Sequence, residues 1–257
     1  MDKKYFFFDI DGTLTDLKTN KIVPSALTAL RKLELNGHFV AIATGRAHYK
    51  ARKFMDEINL HNMVCNGGVG LVVNDDLIEN KPLNTIKAKA IIREAIEKDI
   101  GVLVMLDDSI KLYGKDDLFR EQVGERREST LYIIDPNFDF DSLSSIYKIY
   151  LSVSKEDQSK LKLIDTLGNL RFVPEYLMFQ YDEKQNGIIK MVRHLKGNIE
   201  DIVVFGDDYN DLVMFNNRWT SIAMGNACQE LKDKANYITD SNVENGIYNA
   251  CKKFGWI

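Results

Sequence analysis

Asp9 and Asp11 stand one residue apart at the end of the apolar run Tyr5-Phe6-Phe7-Phe8, just before Gly12 and Thr13. Side chains alternate along a strand, so a strand ending here aims both carboxylates the same way. Held side by side, two carboxylates repel by about 1 kcal/mol in water and by about 4 kcal/mol at an effective dielectric of roughly 20. Capture of a hard divalent cation by oxygen ligands is the usual chemistry that offsets such crowding. A solvated Asp-Gly turn is the alternative reading of this stretch by itself. Three further groups place charge-handling residues where an apolar run stops or a helix begins. They are Thr44 in Thr44-Gly45-Arg46, Lys184 in Glu183-Lys184-Gln185-Asn186-Gly187, and Asp207 with Asn210 and Asp211 in Gly206-Asp207-Asp208-Tyr209-Asn210-Asp211.

The elements that must position these groups follow from hydrophobic spacing. Pro24 and Ser25 open a predicted helix with Leu27, Leu30, Leu33 and Leu35 as its apolar positions, ended by Gly37. Residues 39–43 form a compact apolar strand, and residues 47–58 carry helical spacing through Ala51, Phe54, Met55 and Ile58. Strand, helix, strand, helix is the pattern of a parallel, doubly wound α/β sheet, whose ligands sit beyond the carboxyl ends of the strands. Asp9, Asp11 and Thr44 all fall there. Met63-Val64-Cys65 is a third short strand. Asn66-Gly67-Gly68 after it lacks both the dinucleotide glycine spacing and the Gly-Lys-Ser/Thr of a P-loop. A glycine-permitted tight turn is expected, with a place at the mouth of the site as the alternative. A small hairpin follows over 70–78.

From Pro82 the texture changes. An amphipathic helix is predicted over Thr85 to Asp99, with Ile86, Ala90, Ile91, Ala95 and Ile96 on its apolar face. Short strands are predicted at 102–106, 110–113, 131–134, 146–153, 170–173 and 177–179, with a helix around 155–161. Together they make a separate α+β unit of about 100 residues. The charged run 116–129 reads as a solvated face, with Arg126 and Arg127 as candidates to meet an anion. The parallel pattern resumes near Asp182, with helical stretches at 186–195, 212–215 and 245–254 and strands at 202–205 and 222–224. The expected division is therefore a core of residues 1–81 and 182–257 with residues 82–181 inserted into it.

Composition narrows the class. At 257 residues, 45% hydrophobic and 28% charged, the chain can bury a full core and still supply a second unit. A net charge of −4 leaves no basic surplus for nucleic acid or an anionic membrane surface. Cys65, Cys228 and Cys251 are far apart, odd in number and without metal-ligand spacing, as expected of reduced residues in a cytoplasmic protein. Asp9 and Asp11 cut the N-terminal apolar run short of a signal peptide, and no stretch approaches the roughly 18 apolar residues of a membrane helix. His38, His48, His61 and His194 show no metal-like or triad-like grouping.

Taken in order, Asp9-Ile10-Asp11-Gly12-Thr13, Thr44-Gly45-Arg46, Lys184 and Gly206 through Asp211 resemble the motif set of the haloacid dehalogenase superfamily of phosphotransferases. The resemblance spans the chain, and the insertion between the second and third motifs resembles the Cof-type branch. It implies a Rossmann-like core and a type-two cap that closes over the cleft, excludes water and chooses the substrate. It also implies Mg²⁺ and a small phosphorylated metabolite, a sugar phosphate or coenzyme phosphate, hydrolysed by a phosphatase. Phosphoryl transfer needs a nucleophile, charge neutralisation and a proton donor. Asp9 suits the nucleophile, since a carboxylate can form an aspartyl-phosphate. Asp11 suits general acid and base. By resemblance Asp11 also gives its backbone carbonyl to the cation, so the implied metal residues are Asp9, Asp11 and Asp207, supported by Asp211 and Asp208. The implied phosphate binders are Ile10, Thr44, Gly45, Lys184 and Asn210. Thr44 offers a hydroxyl, the Gly45 amide is expected to open the next helix, and Lys184 supplies a compact positive charge.

Several readings stay open. Arg46 fits a salt bridge as well as a substrate contact, and Asp208 fits a solvated helix start. Asp107, Lys111, Arg126, Arg171 and Tyr176 are candidates for substrate contact in the cap, with no spacing to choose among them. A phosphomutase or a sugar-phosphate-specific phosphatase would share the core and differ in the cap, the mutase keeping phosphate on its product. A non-catalytic sensor of phosphorylated metabolites would lack the nucleophile or the acid, and both are present. Oligomeric state is not legible.

Overall fold

Tyr5–Phe8 forms the first strand, β1, and its four side chains are all buried. Phe6 and Phe8 enter one hydrophobic layer with Leu30, Leu33, Met55 and Ile247, while Tyr5 and Phe7 enter another with Ile188, Met191 and Val192. A strand covered on both faces reads as an unbroken apolar run, which is why β1 shows no polar alternation. The structure, a computed structural model, describes residues 2–257; Met1, part of the expected core segment, lies outside the described residues.

After β1 come α1 (Pro24–Leu35), β2 (Phe39–Ala43), α2 (His48–Ile58), β3 (Met63–Cys65), β4 (Gly70–Val73) and β5 (Asp76–Asn80). Then follow α3 (Thr85–Glu97), β6 (Val102–Met105), β7 (Lys111–Gly114), α4 (Leu118–Val123), β8 (Leu131–Ile134), β9 (Lys148–Leu151), β10 (Asn169–Val173) and β11 (Tyr176–Phe179). The chain continues through α5 (Lys184–His194), β12 (Ile202–Gly206), β13 (Thr220–Ala223), α6 (Gln229–Lys234), β14 (Tyr237–Ile238) and α7 (Gly246–Lys253). Its contacts divide it into two compact units, one made of the segments up to Asn80 and Asp182–Ile257, the other of Lys81–Tyr181.

In the first unit the strand order is β14-β13-β12-β1-β2-β3-β4-β5. The pairs from β14 to β3 are parallel, and β3-β4-β5 is an antiparallel edge. Strand order reverses at β1, which lies between β2 and β12, so the carboxyl ends of β1 and β12 meet at a topological switch point. Phe8 stands level with Phe205 there, which brings the residues after each strand together. The second unit has its own sheet, β10-β11-β9-β6-β7-β8, antiparallel except for the β7-β8 pair. On one face of it α3 buries Ala88, Ile91, Ile92 and Ala95 against Val104, Ile149, Leu177 and Phe179. The fold is thus the expected α/β class, a doubly wound core sheet with an α+β unit inserted into its sequence.

Some element details differ from the expectation. Leu35 is 85% exposed, because α1 seats the stripe Ala26, Ala29, Leu30 and Leu33 on the sheet and Leu35 falls off it. In α3 the same spacing selects Ala88, Ile91, Ile92 and Ala95, and leaves Ile86 and Ile96 in solvent. No helix spans 155–161: a single 3₁₀ turn forms at Gln158–Lys160, where none of the residues is buried. The stretch after Gly206 is likewise 3₁₀, over Tyr209–Met214. The short elements α6 and β14 were not expected.

The corrected face of α1 has a measurable consequence. Leu33→Ala should lower stability by about 2–5 kcal/mol, whereas Leu35→Ser should change it by less than about 0.5 kcal/mol. Urea unfolding followed by circular dichroism checks both, and comparable costs at the two positions would refute the assignment.

Candidate active site

The first unit brings Asp9, Lys184, Asp207 and Asp211 into one buried cluster. Asp9 follows β1 directly, and its N–H donates to the Phe205 carbonyl at 3.0 Å, tying it to the end of β12. Lys184 is the first residue of α5 and only 1% exposed. Its Nζ donates to Oδ1 of Asp9 at 2.8 Å and to Oδ1 of Asp211 at 2.6 Å. The other oxygen of Asp211 accepts the N–H groups of Asp207 and Asp208 at 3.0 and 3.3 Å. Oδ1 of Asp207 accepts the Thr13 hydroxyl at 2.7 Å. Among the described residues nothing donates to Oδ2 of Asp9 or Oδ2 of Asp207. One carboxylate oxygen from each of Asp9, Asp207 and Asp211 lies within 4.8 Å of the others.

The backbone is shaped to permit this approach. Gly12 has φ +86°, and a Cβ on it would lie 2.1 Å from Oδ2 of Asp207, so no other residue fits. The loop carrying Asp11, Gly12 and Thr13 is held from the far end of the chain. Asn226 Nδ2 donates to the Gly12 carbonyl at 2.9 Å, and Asn242 Nδ2 donates to that of Thr15 at 2.8 Å. Asn66, Gly67 and Gly68 all take positive φ. Asn66 N–H donates to Arg46 O at 2.7 Å, and Glu183 N–H donates to Gly67 O at 2.6 Å, so this turn joins the Thr44 segment to the start of α5. Sequence reasoning left out Thr13, Asn226 and Asn242 as site supports, and gave the Asn66–Gly68 turn a place at the mouth of the site only as the alternative to a local tight turn. Thr13 lies inside a quoted motif; the two asparagines gave no local signal.

The remaining expected site residues are placed as follows. The Asp11 carboxylate is half exposed and paired with Arg46, outside the buried cluster. The Ile10 carbonyl accepts from Leu14 and Thr15, while its N–H is uncommitted among the described residues. Thr44 is buried, with Oγ1 accepting the Arg46 N–H at 3.1 Å. Gly45 does not open a helix, because α2 begins at His48 with Ala47 at its N-cap and Gly45 stays in the preceding loop. Asn210 is half-buried, and its side chain makes no hydrogen bond among the described residues. Asp208 is exposed and caps the 3₁₀ turn through the Tyr209 N–H at 2.8 Å. In the second unit, Arg126 lies over the rings of Tyr150 and Tyr176 at 4.2 and 5.8 Å. Arg171 there donates to the carbonyls of Val153, Ser154 and Pro174.

Residues 6–251 match the profile of the haloacid dehalogenase-like hydrolases. The chain belongs to that family. A Bacillus subtilis (strain 168) protein named as a candidate phosphatase, YkrA, is 29% identical over 99% of both chains. The 5-amino-6-(5-phospho-D-ribitylamino)uracil phosphatase YwtE of the same strain is 27% identical over 95% of both. Among solved structures, a hypothetical protein of Geobacillus kaustophilus HTA426 superposes with a TM-score of 0.82 at 25% identity, covering 100% of both chains. The family is one of hydrolases, and both Bacillus subtilis relatives are named as phosphatases.

The electrostatics of this hydrolase's cluster follow from burial and crowding. Burial, then the nearby Asp211, push the Asp9 carboxyl up to about 7 against the opposing pull of Lys184. Burial and Asp9 push Asp207 up to about 8, although the Thr13 hydroxyl draws it down. Burial alone would lower the Lys184 pKa, but Asp211 and Asp9 outweigh it and hold the ammonium above its ordinary value. Three carboxylates against one ammonium leave a negative excess. An all-oxygen donor set with two uncommitted carboxylate oxygens suits a hard divalent cation, so the residues present fit one.

In the metal-free protein the raised carboxyls bind protons that the unfolded chain has released, so the native state gains stability below about pH 4 and loses it as pH rises through 7 to 8. The melting temperature of chelator-treated protein should therefore fall between pH 5 and pH 8, and millimolar Mg²⁺ should remove most of that fall by taking the protons' place. A melting temperature that stays flat or rises over this range without metal would count against the cluster as described.

Proposed function

We propose that this protein is a Mg²⁺-dependent phosphatase that hydrolyses a small phosphorylated metabolite through an aspartyl-phosphate on Asp9. The observation that carries the reading is the buried Asp9, fixed by Lys184 yet keeping one oxygen uncommitted beside Asp207. The carboxylates of Asp9 and Asp207 and the backbone carbonyl of Asp11 would hold the cation. Bound there, it supplies positive charge that lowers the repulsion between an anionic nucleophile and an anionic substrate. Asp211 orients the site, since one of its oxygens faces Lys184 and the other two backbone N–H groups.

Lys184 keeps Asp9 in one orientation and opposes the rise in its pKa, so attack on phosphorus needs no rearrangement of the carboxylate. The Ile10 N–H, the Thr44 hydroxyl, Gly45, Lys184 and Asn210 are assigned to the phosphoryl oxygens, where developing charge is met by fixed donors. Asp11 gives a proton to the leaving oxygen, then takes one from the water that cleaves the phosphoenzyme. Residues 1–81 and 182–257 are assigned as catalytic core and residues 82–181 as the substrate-choosing cap. A sugar phosphate or coenzyme phosphate is the substrate class, in keeping with relatives named for ribitylaminouracil phosphate and pyridoxal phosphate. The proposed setting is the cytoplasm; among the described residues no helix is long and apolar enough to cross a membrane.

With a chromogenic phosphate ester and Mg²⁺, Asp9→Asn should abolish turnover and Asp11→Asn should reduce it by about 10²- to 10⁴-fold. Acid quench of wild-type protein turning over labelled substrate should leave phosphate on Asp9, and EDTA should stop turnover reversibly. Activity surviving in Asp9→Asn, or turnover indifferent to chelation, would refute the scheme.

A further inference from the structure

We infer that Arg46 is the positioning residue for proton transfer: its guanidinium fork holds the Asp11 carboxylate in the orientation from which it gives and takes protons. The inference rests on the reading of Asp11 as general acid and base. The Asp11 side chain is 52% exposed, and among the described residues Arg46 alone hydrogen-bonds it. Arg46 Nε donates to Oδ2 at 3.1 Å and Nη2 to Oδ1, one bond for each oxygen. A half-exposed aspartate left to itself populates several rotamers, whereas proton transfer needs heavy atoms within about 3 Å of each other. Two parallel bonds from a planar group fix the plane of the carboxylate as well as its place.

Arg46 can serve as an anchor because it is itself held at three points. Its N–H donates to Thr44 Oγ1 at 3.1 Å, and its carbonyl accepts the Asn66 N–H at 2.7 Å. Its guanidinium lies 5.7 Å from the ring centroid of Phe54, a buried residue of α2. Thr44 is assigned to the phosphoryl group, so one short segment would fix both the phosphate donor and the acid. A direct substrate contact, the other reading of Arg46, would leave the fork's donors facing open space. Here Nε and Nη2 are committed to Asp11.

The proton balance fits this role. In the first step Asp9 forms its bond to phosphorus as the bond to the leaving oxygen breaks, and the Asp11 proton passes to that oxygen. Asp11 is then an anion, the form that a cationic fork holds best. In the second step water attacks phosphorus, its proton returns to Asp11 and the Asp9 carboxylate is released. While one oxygen carries the proton, the other keeps its bond to Arg46 and preserves the orientation.

The test compares leaving groups. kcat/KM reports the steps through phosphoenzyme formation, so it is measured with Mg²⁺ for full-length Arg46→Ala, Arg46→Lys and Asp11→Asn on an alkyl phosphate and on 2,4-dinitrophenyl phosphate, whose leaving group needs little protonation. Arg46→Ala should lose about 10- to 100-fold on the alkyl ester, part of the usual general-acid contribution, and less than about 3-fold on the dinitrophenyl ester. Arg46→Lys, which keeps the charge without the fork, should fall between wild type and Arg46→Ala with the same preference. Equal losses on both esters in the Arg46 variants, while Asp11→Asn keeps its leaving-group dependence, would overturn the inference and leave the acid reading intact. Equal losses in Asp11→Asn itself would overturn the acid reading and the inference with it. If circular dichroism shows Arg46→Ala unfolded, Arg46→Lys decides, and an unchanged ratio between the two esters in that variant overturns the proposal.

Discussion

One ammonium group, buried at the head of α5 and shared between two carboxylates, is what the rest of this structure is arranged to keep in place. Lys184 has left water almost completely, and removing one partner from such a pair costs on the order of 3–5 kcal/mol because the survivor stays buried and unmatched. The group is tolerable only while Asp9 and Asp211 stay at hydrogen-bonding distance. That requirement links three elements: the end of β1, the first turn of α5 and the 3₁₀ turn after β12. The parallel register between β1 and β12 satisfies part of it, since Phe8 and Phe205 lie level and their following residues emerge together. The rest comes from loop contacts, among them the Asn226 and Asn242 amides on the loop that carries Asp11 and Gly12.

The same cluster explains why a carboxylate-rich site is held in the interior. Burial, and after it the negative excess, raises the proton affinity of Asp9 and Asp207, and a cation offered to the cluster competes with protons for the same oxygens. Asp211 differs from its neighbours in that both of its oxygens are already engaged. The three aspartates therefore divide into two with a free oxygen and one that supports them. This division rests on hydrogen-bond partners and is invisible in residue type.

Legibility from the sequence tracked how local each cause is. The strand β1 was readable because four buried residues in a row leave few alternatives, and α2 because Ala51, Phe54, Met55 and Ile58 mark a single stripe. In α3 the isoleucines occupy more than one stripe, and only packing against the sheet selects Ile91 and Ile92 over Ile86 and Ile96. The segment 155–161 lacked a stripe to bury, so it did not extend beyond one turn. Lys184 looks like any surface lysine in its own neighbourhood; its partners lie 27 and 175 residues away, and only the resemblance of the whole motif set pointed to it. Asn226 and Asn242 act through amide contacts across more than 200 residues, which no spacing rule encodes.

The turn at Asn66–Gly68 bears on how the chain accommodates its long insertion. Asn66 Nδ2 donates to Asn80 Oδ1 at 3.2 Å, and Gly67 accepts the Glu183 N–H, so the outgoing and returning stems are fastened to the same three residues. With both ends fixed inside the first unit, the entropy of closing the intervening stretch is set mainly by the anchor, and it grows only as the logarithm of the length enclosed. Doubling residues 81–181 would add only about 0.6 kcal/mol of closure cost on that basis. The anchor thus makes the first unit thermodynamically indifferent to the length of the chain hung from it, and gene-level change in that stretch can proceed while the lysine-centred cluster stays as it is.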